Sequence, residues 1–264
     1  MQYSTFAAID IGSYDVILEI FEISKKQGIR SVDKICHRME LGKDTYTLGK
    51  IRPEMEEELC RVLADFVRIM EGYRVDDYRA TASSAISEAS NSLYVLGKIH
   101  QLTGLSVTVL SNSEQRFLSY KALAAMEDNF NKIIEKGTAI LDLDGGSFQI
   151  SLFDKDALVT TQNIRMGSLR IRERLAGIQS ETEHYEEMVE ELIWNEVSSF
   201  KKMYLKDRKI ENIMLIGDVF TDSVYQNIEE KTTKIISREN FNTWYEKIIR
   251  QSPMELAVKL GIPL

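Results

Sequence analysis

The stretch "TAILDLDGGSFQISLF" (residues 138–153) decides how the chain is read. An apolar, β-prone run leads into Asp142. Two glycines and a serine follow, and then a second strand-like run. The pattern has a partner near the N-terminus, "FAAIDIGSYDVILEI" (residues 6–20). Asp10 aligns with Asp142, and each is followed by an apolar residue, Ile11 or Leu143. Gly12 and Ser13 match Gly145, Gly146 and Ser147. The runs "VILEIFEIS" and "FQISLFDKD" close the two units. The two aspartates lie 132 positions apart, about half the chain. One supersecondary unit, strand–glycine turn–strand, is used twice.

Composition sets the frame. A chain of 264 residues can bury a sizeable core in one large domain or two ordinary ones. Apolar residues at 44% and charged residues at 28% are usual for a soluble globular protein. The net charge of −8 speaks against a general DNA binder, while leaving room for a local anion pocket. No apolar run reaches the roughly 18–20 residues that span a bilayer. The opening "MQYSTFAAID" lacks a basic n-region and an apolar h-region, so the expected compartment is the cytoplasm. Two cysteines, Cys36 and Cys60, make no disulfide framework, and His37 beside Cys36 has no second Cys/His cluster to complete a zinc site.

Between the hairpins, elements alternate. "IRSVDKICHRMEL" reads as a third strand and its exit. "RPEMEEELCRVLADFVRIMEGY" reads as a helix, with Pro53 early and acids in the first turn. "DYRATASSA" runs from strand to helix, and "NSLYVLGKIHQLTG" is a helix closed by Gly104. "LSVTVLS" is a strand. Residues 113–137 read as one long helix ending at Gly137. Beyond the second hairpin come the strand "ALVTTQNI", the helices "MGSLRIRERLAG" and "TEHYEEMVEELIWNEVSSFKKMYL", and the strand "IENIMLIG". Alternation of strands and helices indicates an α/β fold.

Glycine lets a backbone turn tightly and lets a ligand come close to the main chain. Successive N–H groups in such a turn form an anion-binding concavity. Ser13 and Ser147 add hydroxyls. A carboxylate beside that concavity does not bind phosphate, but it can hold Mg²⁺, often through water, and the metal then meets phosphate oxygens. Asp10 and Asp142 are the candidates for that task. Ordinary hairpin turns containing Asp and Gly are the alternative for either turn alone; the repetition favours phosphate. Arg165 and Arg170 in "RMGSLR" could reach an anion or lie on a solvated helix face. The cluster Lys201, Lys202, Lys206, Arg208 and Lys209 reads as a solvated helix end, and Trp194 and Trp244 as core.

The two hairpins resemble the first and second phosphate motifs of the actin-like ATPase folds, which include actin, the 70-kDa chaperones and sugar kinases. More narrowly, the chain resembles the exopolyphosphatase and guanosine-pentaphosphate phosphohydrolase (Ppx/GppA) family. "TASSAISEASN" at 81–91, "GLSVTVLSNSEQRFLSYKAL" at 104–123 and "RMGSLR" at 165–170 add to it in order and spacing. The resemblance implies a two-lobed actin-like (ribonuclease H-like) α/β fold with duplicated βββαβαβα lobes and a cleft between them. The lobes would be residues 1–130 and 131–264, with the second incomplete at its C-terminus. It also implies Mg²⁺-dependent removal of the terminal phosphate from polyphosphate or the alarmone pppGpp by an activated water. Phosphate would be held by Ile11, Gly12, Ser13, Asp144, Gly145, Gly146 and Ser147, and Mg²⁺ by Asp142 and Asp10. Expected partners are polyphosphate or guanosine penta- or tetraphosphate, with no DNA and no membrane; a homodimer is an assembly the chain could form.

Several positions depart from the family pattern. Tyr14 stands where Asn is usual, Ser87 where an Arg is usual, and Asp144 where Gly is usual. The family's catalytic glutamate falls at Gln115, with Glu114 one residue earlier. The later "G-A-S-G-T" turn is matched by "IGDVFTD", sharing Gly217 and Thr221. A neutral amide cannot take a proton from water at ordinary pH. A missing Arg weakens bidentate phosphate recognition. Two readings follow: an active phosphohydrolase whose base has moved to Glu114, or a catalytically weak member that binds polyphosphate or an alarmone nucleotide as a sensor.

Overall fold

The computed structural model describes residues 3–26, 28–127, 129–179, 184–206, 208–217, 237–252 and 254–255. The chain forms two compact units. One comprises Met1–Leu118, Asp144–Phe148 and Asn163–Met203; the other comprises Ser119–Leu143, Gln149–Gln162 and Tyr204–Leu264.

The first unit opens with three strands, β1 (Ser4–Ile11), β2 (Asp15–Ser24) and β3 (Gly28–Arg38), paired antiparallel in succession. Helices α1 (Leu41–Leu48) and α2 (Pro53–Tyr73) follow, then β4 (Asp77–Ala82), α3 (Ser84–Ser87), α4 (Ser92–Thr103) and β5 (Val107–Val109). The strands lie in the order β3-β2-β1-β4-β5, with β4 parallel to β1 and β5 parallel to β4. Alternation places Ala7, Ile9 and Ile11 of β1 in the core together with Val16, Leu18 and Ile20 of β2. Leu59, Leu63, Phe66 and Met70 fall on one stripe of α2 and belong to the same core. Pro53 opens α2, acids Glu54 and Glu56 occupy its first turn, and Arg74 closes it in the left-handed conformation. Glu56 is buried because Lys98 and Asn91 partner its two oxygens.

The helix α5 (Asn112–Met126) and the short α6 (Phe130–Ile134) stand where one helix over 113–137 was expected. The break lies at the acid- and amide-rich Glu127–Asn129, where the Glu127 carboxylate takes the Asn129 N–H. Local side-chain acceptors of this kind compete with helix continuation. The second sheet contains β6 (Thr138–Leu143), β7 (Phe148–Asp154), β8 (Ala157–Ile164) and, after α7 (Ser168–Gln179) and α8 (Tyr185–Tyr204), β9 (Asn212–Ile216). Its order is β8-β7-β6-β9, with β9 parallel to β6. A further helix, α9 (Arg238–Ile249), begins after Ser237, whose side chain accepts the Asn240 N–H. Phe130, Ile134, Ile140 and Phe153 form the core of the second unit, with Tyr120 edge-on to Phe153.

The second sheet repeats the third-second-first-fourth order of the first. The duplicated hairpin is therefore a duplicated sheet, and the fold is mixed α/β. Thr221, the second matched position of the later turn, lies outside the described residues.

Candidate functional site

The two hairpin turns are built alike. The Gly12 N–H donates to the Asp15 carbonyl at 2.9 Å, and the Asp144 N–H donates to the Ser147 carbonyl at 3.0 Å. The offset of 132 therefore persists through the turn. Gly12 is matched by Asp144, Ser13 by Gly145 and Tyr14 by Gly146, which corrects the pairing of Gly12 and Ser13 with Gly145–Ser147. A side chain thus stands in the second turn where the first has none.

Both turns belong to the first unit, and they abut. A methyl carbon placed on Gly145 would sit 3.4 Å from the Ser13 Cβ and 3.6 Å from the Tyr14 Cβ. Beneath them lies a cluster of three hydroxyls. Ser13 Oγ is 2.6 Å from Tyr46 Oη and 3.2 Å from Ser84 Oγ, and the latter two are 2.8 Å apart. Ser13 is fully buried, so these partners satisfy its hydroxyl. Burial also pushes the Tyr46 phenol up from its ordinary value, which keeps it protonated and able to donate. Gly146 lies directly over this cluster, where a methyl carbon would fall inside 3.0 Å of both Tyr46 Oη and Ser84 Oγ. Gly167, at the entrance to α7, is likewise pressed against the Asp144 and Gly145 backbone.

Arg170 fixes the second turn. Its Nε donates to the Gly146 carbonyl at 2.8 Å, and its terminal nitrogen reaches both Glu88 oxygens at 3.0 Å. Its guanidinium lies 3.8 Å from the Tyr46 ring centroid. The Arg170 N–H also donates to the Gly145 carbonyl at 3.1 Å. Arg170 is therefore neither on a solvated face nor free toward an anion. Arg165 pairs with the same Glu88. Nearby, Arg172 holds both oxygens of Glu40, which immediately precedes α1.

The remaining candidates are placed as follows. Asp10, next to last in β1, is exposed, with Thr81 Oγ1 3.4 Å from its carboxylate. Asp142 lies in β6, half-buried, and accepts from Ser119 Oγ at 3.3 Å; burial raises its carboxyl above the ordinary range. Ile11 is buried at the end of β1. Ser147 is half-buried, and its carbonyl closes the second turn. Glu114 forms a reciprocal capping box: its carboxylate takes the Ser111 N–H and hydroxyl at 2.8 Å each, and its own N–H donates to Ser111 Oγ. These bonds hold its carboxyl below the usual range. Gln115, half-buried on the next position of α5, points its N–H to the Ser111 carbonyl. Ser87 is exposed at the end of α3.

Among the described residues, no three His, Cys, Asp or Glu side chains group to hold a metal ion, and no helix is long and apolar enough to cross a membrane. The donor chemistry of Asp142 still suits Mg²⁺. That ion takes hard oxygens and commonly keeps water and substrate oxygens around one or two carboxylates.

Paired glycine turns over a part-buried hydroxyl cluster mark a mixed α/β protein with two like-ordered sheets. Comparison with known proteins narrows the class. The model of the Ppx/GppA phosphatase family matches residues 19–260, and the chain belongs to that family. A bifunctional 3-dehydroquinate synthase/phosphatase of Fusobacterium nucleatum is 22% identical over 238 residues, which cover 85% of this chain and 34% of that protein. Exopolyphosphatase 1 of Mycobacterium leprae is 25% identical over 144 residues, covering 54% of this chain and 41% of its own. The chain thus spans well under half the length of these curated relatives. An exopolyphosphatase structure from Cytophaga hutchinsonii superposes with a TM-score of 0.78 at 19% identity, covering 96% of this chain and 82% of that one. A Ppx/GppA family structure from Aquifex aeolicus gives 0.72 at 21% identity, covering 98% and 83%.

The sequence did not point to Tyr46 and Ser84 as parts of the site, nor to Glu88 as the partner of Arg170. Tyr46 sits on α1, of which only Leu41 fell in the stretch read as a strand and its exit. One signal was present: Gly42 is a glycine inside α1, and a methyl carbon there would meet Tyr46 Cε2 at 2.6 Å.

Proposed function

We propose that the protein binds phosphoanhydride chains, polyphosphate or pppGpp, together with Mg²⁺, and hydrolyses their terminal phosphate slowly. The observation that carries this reading is the abutment of two glycine turns over the Ser13–Tyr46–Ser84 hydroxyl cluster, in a chain of the Ppx/GppA family. Backbone N–H groups of residues 11–13 and 144–147 would hold phosphoryl oxygens. Asp142 would hold Mg²⁺, which when bound neutralises charge on those oxygens. Asp10 is the second carboxylate available to it. Gln115 would orient water by hydrogen bonding without accepting its proton, as a glutamine does in GTPases. A cytoplasmic location, where polyphosphate and alarmone nucleotides would be met, fits this role.

A second reading is a binding protein without turnover. It is favoured by one observation: Glu114, the carboxylate beside the catalytic position, is already engaged by Ser111 on its carboxylate and its N–H alike. Phosphate release from polyphosphate and from pppGpp with Mg²⁺, for wild type and Gln115→Glu, separates the two. Slow release that accelerates in Gln115→Glu supports the hydrolase. Binding without release in either protein supports the sensor. Absence of binding by both at millimolar ligand sinks both readings.

A further inference from the structure

Ser83 stands between β4 and α3, next to Ser84 of the hydroxyl cluster, and its hydroxyl behaves differently. Ser13, Tyr46 and Ser84 satisfy one another. Ser83 is 6% exposed, and its Oγ is buried with no hydrogen-bond partner among the described residues. A serine just before a helix ordinarily accepts an N–H of the first turn. The Ser83 side chain makes no such bond, although its carbonyl takes the Ile86 and Ser87 N–H groups at 3.2 and 3.0 Å. Buried polar groups are as a rule paired, so an orphaned hydroxyl calls for a cause.

The sheet register places this hydroxyl. β4 runs parallel to β1, with Thr81 level with Asp10 and Ala82 level with Ile11. Ser83 is still extended, and its N–H donates to the Ile11 carbonyl at 3.2 Å, which carries the ladder one step on and sets Ser83 level with Gly12. Side chains alternate along a strand. Ile9, Ile11, Ala80 and Ala82 fill the core, so Asp10, Thr81 and Ser83 share the opposite face. The 3.4 Å between Thr81 Oγ1 and the Asp10 carboxylate agrees with that arrangement. Gly12 adds no side chain to the row.

We propose that Ser83 is a phosphoryl-binding residue, its hydroxyl donating to an oxygen of a phosphate chain seated at the first turn. This rests on the phosphate-binding reading of the same turns. The surroundings call for an uncharged donor joined by a cation. Asp10 lies on the same face, and Asp15 Oδ1 stands 3.3 Å from the place a methyl carbon on Gly12 would take. An oxyanion entering beside carboxylates is repelled unless a cation comes with it. A serine hydroxyl gives the oxyanion a donor, and Mg²⁺ carried by the chain offsets the carboxylates. Without ligand the hydroxyl is a cost to the fold, which is the trade between stability and function that binding sites make.

The test reads affinity and stability on the same pair of proteins. Inorganic tripolyphosphate is titrated at fixed Mg²⁺ into the full chain, wild type and Ser83→Ala, by calorimetry, and Tm is measured for both without ligand. Ser83→Ala is expected to bind about 10–100-fold more weakly, the effect of one hydrogen bond to a charged group. Its Tm should hold or rise, because the substitution breaks no bond and removes a buried group without a partner. A hydroxyl kept for the fold, as a cap or through another structural bond, would instead lower Tm on removal. Equal binding by the two proteins, or a lowered Tm in Ser83→Ala, overturns the role of Ser83 and leaves the phosphate reading standing. No binding by wild type at millimolar ligand removes the phosphate reading and this inference with it.

Discussion

Replacing Gly146 by alanine is the sharpest test of the cradle's packing. Gly146 does not adopt a left-handed φ, so backbone strain does not enter. At a compatible site, Gly→Ala stabilises by about 0.4–1 kcal/mol by restricting the unfolded chain. Here the new methyl falls inside 3.0 Å of Tyr46 Oη and Ser84 Oγ, with Tyr46 Cζ at 3.1 Å. Ser84 can rotate its hydroxyl away. Tyr46 cannot retreat, because Arg170 lies against its face and Gly42 against its edge. Overpacking of this kind costs about 1–3 kcal/mol, and a broken Ser13–Tyr46 bond adds about 1 kcal/mol. A net loss of about 2 kcal/mol is expected, which lowers Tm by about 4–8 °C at this chain size. The assay is urea unfolding of wild type, Gly146→Ala, Tyr46→Phe and the double variant. Tyr46→Phe removes the oxygen that the methyl strikes, so the double variant should be more stable than the sum of the singles by at least about 1 kcal/mol. Additivity within about 0.5 kcal/mol would show that the methyl and the phenol do not meet, and the cradle geometry argued above would be wrong.

Four further outcomes follow from the same contacts. Arg170→Lys keeps the charge but loses the fork that spans the Gly146 carbonyl and Glu88, and should lower stability by about 1–3 kcal/mol in urea unfolding. Glu114→Gln should leave turnover unchanged, because glutamine also serves a capping box, whereas Gln115→Glu should raise phosphate release by up to about 10²–10⁴-fold; the reverse pattern would make Glu114 the base. The lowered carboxyl of Glu114 stabilises the fold above its unfolded pKa, and that contribution vanishes as pH falls through the folded value, so Glu114→Gln should show a shallower acid-side loss of Tm. Asp142 has the opposite sign: burial raises its folded pKa, so stability falls as pH rises from the unfolded value through the raised one, and Asp142→Asn should melt higher than wild type at neutral pH while losing Mg²⁺-dependent binding of tripolyphosphate.

The fold was legible because its signal is long-range and redundant. The repeated strand–turn–strand pattern announced two related sheets, and the helical stripe of α2 with Pro53 in front left little choice over 53–73. Short or interrupted elements were not legible. Nothing in residues 41–48 separates an eight-residue helix from an irregular exit, since its stability comes from contacts such as buried Asp44 held by Arg52. The break at Glu127–Asn129 depends on one carboxylate finding one N–H. The turns could be found from glycine and aspartate alone, but their exact pairing could not. Gly-Ser and Gly-Gly-Ser align equally well by eye, and only the Gly12–Asp15 and Asp144–Ser147 bonds set the offset. Arg170 was visible as a candidate; its engagement with Glu88 depends on a residue 82 positions away.

The two turns also show what duplication keeps and what it releases. Each preserves the hydrogen bond that closes the hairpin, because the backbone must reverse in four residues whatever its side chains. The side chains answer to different neighbours. The first turn carries Tyr14, which has room and a cation at hand, with the Arg38 guanidinium 5.0 Å from its ring centroid. The matching place in the second turn is Gly146, because Tyr46 and Ser84 already fill the space a side chain would need. Ser13 faces the same crowding from the other side, and a small hydroxyl satisfies it where Gly145 needs nothing. The pairs Gly12/Asp144 and Tyr14/Gly146 therefore invert bulk between the repeats: the first turn is large where the second is bare, and the second carries a side chain where the first has none. One steric fact, the Tyr46 phenol lodged beneath both turns, accounts for the glycine at 146.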